Sequence, residues 1–165
     1  MIRGVHHVCL VTEDDARLIA FYRDVIGGEL VLETSFEPGN RHADTVVGLK
    51  GTSLRVAIIR LGNAYIEIHR YLAPAGRPGD DQRPPNDGGI GHFALDVVDL
   101  PAEYERLSAA GVRFLSPPQE MPGIVNTALG RDPDGNLIEF QELLDPTSVV
   151  LLPGVAPPAG PGVSC

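Results

Sequence analysis

Two stretches of the chain carry the same alternation of apolar and polar positions. Val5-His6-His7-Val8-Cys9-Leu10-Val11 and Ile90-Gly91-His92-Phe93-Ala94-Leu95-Asp96-Val97 each set a histidine on one side of a strand and apolar residues on the other, as the two-residue period of a β-strand requires. An acidic, helix-opening segment follows each. A second pair, Gly62-Asn63-Ala64-Tyr65-Ile66-Glu67-Ile68 and Gly135-Asn136-Leu137-Ile138-Glu139-Phe140, sets a glutamate after a Gly-Asn turn. The order histidine strand, helix, strands, Gly-Asn turn, glutamate strand thus occurs twice, and such a repeat defines the architecture. The first copy is the longer, which predicts an extended loop near Pro38-Gly39-Asn40.

Thr12 and Asp15 stand at capping-box spacing, followed by an apolar stripe of Leu18, Phe21, Tyr22, Val25 and Ile26 that ends at Gly27-Gly28. In the second copy Asp99 is the cap, Pro101 sits in the first turn, Leu100, Tyr104 and Leu107 share a face, and Gly111 stops the helix. Strands are expected near 3–11, 29–36, 53–60, 63–71, 90–98, 112–115, 124–131 and 136–143, so each module reads β-α-β-β-β. The modules occupy 1–72 and 90–144. A Pro-, Gly- and charge-rich linker, 73–89, joins them, and 145–165 is a Pro/Gly-rich C-terminal tail. Segments 37–52 and 116–125 read as irregular, ligand-facing loops.

Composition narrows the partners. With 43% hydrophobic and 21% charged residues, the 165-residue chain has the interior of a globular protein. Its net charge of −9 argues against nucleic acid and anionic membrane as partners, since both need basic patches. No apolar run is long enough to span a bilayer. Cys9 and Cys165 lie at opposite ends and suggest no disulfide framework, and Met1 to Gly4 show no signal-peptide pattern, so the cytoplasm is the expected compartment.

The alternation also sorts the chemistry. His7 shares a strand face with Cys9, Glu67 with His69, His92 with Asp96, and Glu139 with Gln141. The alternate positions, Val8, Leu10, Ile66, Ile68, Phe93, Leu95, Ile138 and Phe140, are apolar and should pack under the helices. Two imidazoles and two carboxylates, His7, Glu67, His92 and Glu139, suit a divalent ion such as Zn, Ni, Co, Mn or Fe(II). A six-coordinate ion with four protein ligands keeps two positions for adjacent substrate oxygens and acts on them as a Lewis acid. His69, Cys9, Arg55 and Gln141 are the candidate substrate contacts, Arg55 for an anionic group. Asp132-Pro133-Asp134-Gly135-Asn136 reads as a turn whose acids need no catalytic role.

These segments, together with Phe21-Tyr22-Arg23-Asp24-Val25-Ile26-Gly27 and the run from Arg131 to Glu139, resemble the vicinal oxygen chelate superfamily over roughly residues 3 to 143. That superfamily includes glyoxalase I, methylmalonyl-CoA epimerase, extradiol dioxygenases and bleomycin- or fosfomycin-resistance proteins. The resemblance implies an α+β fold in which two βαβββ modules form a curved, mostly antiparallel half-barrel with helices outside, often within a homodimer. It also implies that one metal is held by His7, Glu67, His92 and Glu139.

Three functions are compatible with that resemblance. The first is a proton-transfer isomerase, epimerase or lyase acting on a small substrate with adjacent oxygens, with Glu139 or Glu67 as the catalytic base. Residues 53–60 offer no carboxylate for the additional glutamate of the epimerase pattern, and no clear glutathione-binding signature is present. The second is an Fe(II) extradiol-type dioxygenase, in which Glu67 would occupy a position that oxygen or catechol needs. The third is a non-catalytic antibiotic-binding or resistance protein.

Overall fold

A computed structural model describes residues 1–155; residues 156–165 of the predicted tail, Cys165 among them, lie outside the described residues. The chain divides into two compact units, Met1–Asp80 and a second beginning at Asp81.

The first unit runs β1 (His7–Val11), α1 (Asp15–Ala20), β2 (Glu29–Phe36), α2 (Arg41–Val47), β3 (Ser53–Leu61) and β4 (Ala64–Ala73). Its sheet is ordered β1-β4-β3-β2, with β1 parallel to β4 and the other pairs antiparallel. Helix α1 covers one face, against β3 and β4. Leu18, Tyr22, Ile59 and Ile68 are completely buried there, beside Leu10 and Ile66. The helix starts two residues later than expected: Asp14, not Thr12, is the cap and accepts from the Arg17 N–H, while the Thr12 hydroxyl accepts from the Asp14 N–H. Asp15 is thereby freed for another task. Its buried carboxylate pairs with Arg55 at 2.9 Å and Arg70 at 3.1 Å, two residues opposite each other on β3 and β4. The predicted apolar stripe continues past Ala20, but as a π-helical turn over Phe21–Val25. The wider turn ends at Gly28, where any side chain would strike Ile59.

The second unit runs β5 (Phe93–Asp96), α3 (Leu100–Ala109), β6 (Arg113–Phe114), β7 (Gln119–Met121), β8 (Val125–Arg131) and β9 (Leu137–Leu143). Its sheet is ordered β5-β9-β8-β6, with β7 also on β8, and β5 is parallel to β9. Asp99 caps α3 as expected, accepting from the Ala102 N–H, and Glu142 on β9 accepts from the Asp99 and Leu100 N–H groups. Leu100, Leu107, Ile138 and Phe140 close the core under this helix.

The fold is therefore mixed α+β with open sheets and few helices. Two segments read as irregular loops contain regular structure instead. Residues 41–47 form α2, capped by the Asn40 side chain on the Ala43 N–H and stopped by Gly48 at φ 70°. Residues 119–121 form β7. Among the described residues no helix is long and apolar enough to cross a membrane.

Candidate metal centre

The parallel pairing of the outer strand with the last strand of each unit aligns the predicted donors. In the first unit Cys9 lies opposite Glu67, with His7 two residues earlier on the same face. In the second, Ala94 lies opposite Glu139, with His92 two residues earlier. The two units thus repeat one register, and each brings its histidine onto its glutamate. His7 Nε2 is 3.2 Å from Glu67 Oε2, and His92 Nε2 is 2.9 Å from Glu139 Oε2. The glutamates are mostly buried and the histidines about two-fifths exposed. A carboxylate withdrawn from water needs a cation or donors to offset its desolvation, and an imidazole answers that need here.

The surroundings of the two pairs differ. His69 Nε2 also reaches Glu67 Oε2, at 3.2 Å, and the Cys9 thiol hydrogen-bonds the same carboxylate. Although Cys9 as a residue is exposed, desolvation pushes its thiol up to about 11, and the charge of Glu67 adds to this. Tyr71, on the same strand face, is also raised, by desolvation first and then by Cys9 and Glu67. In the second unit the positions of Cys9 and His69 are held by Ala94 and Gln141. There the Thr127 hydroxyl donates to Glu139 Oε1 at 2.7 Å, leaving Oε2 to His92. Asp96 lies opposite Gln141, and its carboxyl is raised by desolvation and then by Glu142.

Arg55 does not join this group. The register that puts Val56 and Ile58 opposite His69 and Glu67 turns Arg55 to the other face, under α1. There it pairs with Asp15 and lines a cleft of about 420 Å³ together with Glu33, Ser53 and Leu72. A substrate contact from Arg55 at the histidine–glutamate face is therefore corrected: strand parity sends its side chain to the helix side.

Three residues beyond the predicted set belong to the two clusters. Thr127 on β8 lies opposite Gln141 on β9, and Tyr71 follows His69 by one strand period. His6 is the third. Its ring stacks on Tyr65 at 5.0 Å, and its Nδ1 lies 2.9 Å from His7 Nδ1. The doubled histidine was the available signal for His6. Nothing in the sequence singles out Thr127, because its partner is chosen by the β8–β9 register.

The turn before β9 is held independently of these clusters. Buried Asp132 accepts from the backbone N–H groups of Asp134 and Asn136 and from the Asn136 side chain, each within 2.9 Å. Arg131 donates to the Gly135 and Arg83 carbonyls. This fixes where β9 begins and hence which face Glu139 takes.

A family model described as Glyoxalase/Bleomycin resistance protein/Dioxygenase superfamily matches residues 4–140. The chain belongs to this superfamily. Its members usually bind a divalent metal, and it includes enzymes. Among solved structures, a glyoxalase family protein from Bacillus cereus is similar at TM-score 0.79 and 23% identity, over 87% of this chain and 95% of that one. A glyoxylase/bleomycin resistance protein/dioxygenase domain from Frankia sp. is similar at TM-score 0.62 and 23% identity, covering 87% and 93%. The fosfomycin resistance protein FosX from Mesorhizobium loti is similar at TM-score 0.54 and 17% identity, covering 85% and 91%. At such identities the likeness shows a shared fold. No curated protein matches the sequence.

Proposed function

We propose that the chain is a metal-dependent enzyme of the superfamily, an isomerase, epimerase or lyase that moves a proton on a small substrate with adjacent oxygens. The repeated register carries this reading: the same histidine–glutamate pair stands on the same rungs of both sheets. The pairs fit a divalent ion. Two ligands held at about 2.0–2.2 Å from one ion lie roughly 3 Å apart when cis, and the nitrogen–oxygen separations are 3.2 and 2.9 Å. His7, Glu67, His92 and Glu139 would hold the metal, which when bound supplies Lewis-acid polarisation of substrate oxygens. The working unit is proposed to be a homodimer, an inference that rests on family membership alone.

The protein's own groups do the proton work. Glu139 is the base: Thr127 pins one of its oxygens, so the other keeps a fixed direction when it takes a proton from a carbon that bears or adjoins one of the substrate oxygens. The carboxyl then returns that proton to the other face or to the neighbouring carbon. Glu67 is less free for this task, held between two imidazoles and a thiol. Gln141, on the Glu139 face, is a neutral contact for a substrate oxygen.

The test is metal analysis of protein purified without added metal, then screening of diketones, acyl-CoA thioesters and catechols in deuterated water. Zn, Ni, Co or Mn, with deuterium entering a carbon acid, is the expected result. Glu139→Gln should lower kcat by about 10²–10⁴-fold with metal retained. Iron with oxygen uptake, or ligand binding indifferent to chelation, would overturn the proposal; full activity in the glutamine variant would remove Glu139 as the base.

A further inference from the structure

The first sheet carries polar side chains on its helix side as well. Strand parity turns Glu33 and Ser35 of β2, Glu37 just beyond it, and Ser53, Arg55 and Ala57 of β3 to that side. Helix α1 packs against β3 and β4, and β2 beyond it is largely exposed. The cleft left between Ile19 of the helix and these two strands measures about 420 Å³, within the roughly 300–1,000 Å³ of small-molecule sites. Asp15 sets its floor. This carboxylate, 6% exposed, pairs with Arg55 Nε at 2.9 Å and Arg70 Nη1 at 3.1 Å. The two Nη groups of Arg55 make no hydrogen bond among the described residues. Ser53 lines the cleft at 7% exposure, and its hydroxyl has no partner among the described residues either. A hydroxyl withdrawn from water without a partner is costly, and a ligand oxygen would remove that cost.

Opposite charge stands close by. Ser35 lies directly across from Arg55, so Glu33 and Glu37 flank Arg55 diagonally, a spacing of about 7–8 Å between paired strands. Neither glutamate carboxylate makes a hydrogen bond or ion pair among the described residues. The simpler account makes Arg55 and Arg70 counter-ions for Asp15, and the glutamates solvated edge-strand charges that discourage pairing with another strand. Two features weigh against it. One cation offsets one carboxylate, and an arginine recruited for that alone would present its two-pronged side. The partnerless Ser53 hydroxyl lies outside that account altogether. Three carboxylates, Asp15, Glu33 and Glu37, face two guanidiniums, so the surroundings are net negative and repel a dianion such as phosphate. An anion that carries its own ammonium escapes that repulsion.

We propose that this cleft is a second small-molecule site, for a free α-amino acid with an aliphatic side chain. The carboxylate lies on the Nη groups of Arg55 and the Ser53 hydroxyl, and the ammonium lies at Glu33 and Glu37. The aliphatic side chain rests against Ile19 and Leu72, which also line the cleft. One charge-assisted contact of about 2.7–2.9 Å at each pole, with the short amino-acid backbone between them, matches the diagonal spacing of arginine and glutamate. A ligand with one pole leaves the other set of groups without a partner. The site goes beyond the function proposed above: it uses none of the four proposed metal ligands and lies on the opposite face of the sheet from His7 and Glu67.

The experiment is titration of the chelator-treated full chain with L-leucine, followed by calorimetry and by amide chemical shifts. Two analogues run beside it: 4-methylpentanoate, which lacks the ammonium, and 3-methylbutylamine, which lacks the carboxylate. L-leucine is expected to bind with a Kd of about 1 mM or tighter and to shift amides of residues 33–37 and 53–57, and each analogue to bind at least about 10-fold more weakly. Arg55→Gln should weaken leucine by at least about 10-fold, and Glu33→Gln combined with Glu37→Gln should bring it to the level of 4-methylpentanoate. Ser35→Tyr, at an exposed position that leaves the pairs of Asp15 in place, should fill the cleft and abolish binding. Binding should be the same in His7→Ala. An analogue that binds as tightly as leucine, or leucine binding indifferent to Ser35→Tyr, overturns the site. So does the absence of leucine binding at about 10 mM. Each of these results leaves the metal-dependent function standing. Loss of leucine binding in a folded His7→Ala would put the amino acid on the metal face and overturn the cleft.

Discussion

His6 shows how much one side chain can depend on its neighbour's proton. The 2.9 Å Nδ1–Nδ1 contact with His7 holds a single hydrogen. If a neutral His7 donates from Nε2 to Glu67, its Nδ1 is the acceptor and His6 Nδ1–H the donor. With a metal on Nε2 the roles reverse, and His7 Nδ1–H donates to His6. A ligand imidazole normally gives its other N–H to such a partner, which fixes ring orientation and tautomer. His6→Ala is therefore expected to lower metal affinity by about 10–100-fold. Competition against a chromophoric chelator measures this, and an unchanged affinity would show that His6 plays no part. At this scale the sequence was informative about parity and poor about partners. It set His7, Glu67, His92 and Glu139 apart from the apolar positions because strand alternation is local. It misjudged Arg55, whose direction is set by the β3–β4 register and by a buried carboxylate fifteen residues into the chain.

Elements depend on short polar contacts that an alternation pattern does not reveal. Helix α2 was hidden inside a supposed loop because it is short and lacks a clear apolar stripe, although Asn40 and Gly48 were its available boundary signals. Asp44 ties this helix to the start of β3: its carboxylate accepts from the Gly51 and Thr52 N–H groups at 3.0 and 2.7 Å. Those bonds, chiefly from Thr52, hold its carboxyl below the ordinary carboxylate value. The sign follows from linkage. A carboxyl depressed in the folded state adds stability above its unfolded value, near 4, and that contribution is lost as pH falls through the folded value. Asp44→Asn should therefore be less stable than the parent at neutral pH, with the gap narrowing as pH falls below about 4. Urea midpoints measured at several acidic pH values check this; parallel curves for parent and variant would rule it out. The Thr12 cap was misassigned for a related reason. Two acids follow one another at 14 and 15, and only the burial of Asp15 against Arg55 and Arg70 decides which of them caps.

At the scale of the whole molecule the repeated βαβββ order was legible because both copies carry their own turns, caps and apolar faces. The α+β architecture needed no further information. Length differences between the copies were visible, but their content, α2 in one unit and β7 in the other, was not. The donors of each pair come from strands far apart in sequence, so a metal that binds them binds only the folded chain. Its effect on stability then follows from mass action: an ion at 100 times its Kd adds about 2.7 kcal/mol. For a chain of this length that is a rise in Tm of roughly 5–10 °C. Thermal melts of chelator-treated protein with and without Zn(II) should show the rise in the parent and a smaller one in His7→Ala. Identical melts with and without ion would mean that no folded-state site exists.

The common register of β1 with β4 and of β5 with β9 has a consequence for how this chain can change over time. Each pair meets because its strands keep the same side-chain parity and the same rung. Inserting or deleting one residue inside any of the four strands hands an imidazole or a carboxylate to the helix side. A change of two restores the facing but moves the partner away along the strand. Point replacements at the apolar positions cost packing only, and can be repaired by neighbours. Strand length is thus the stricter inheritance, and gaps in these four strands should be rarer among descendants of this gene than exchanges of Val, Ile and Leu within them.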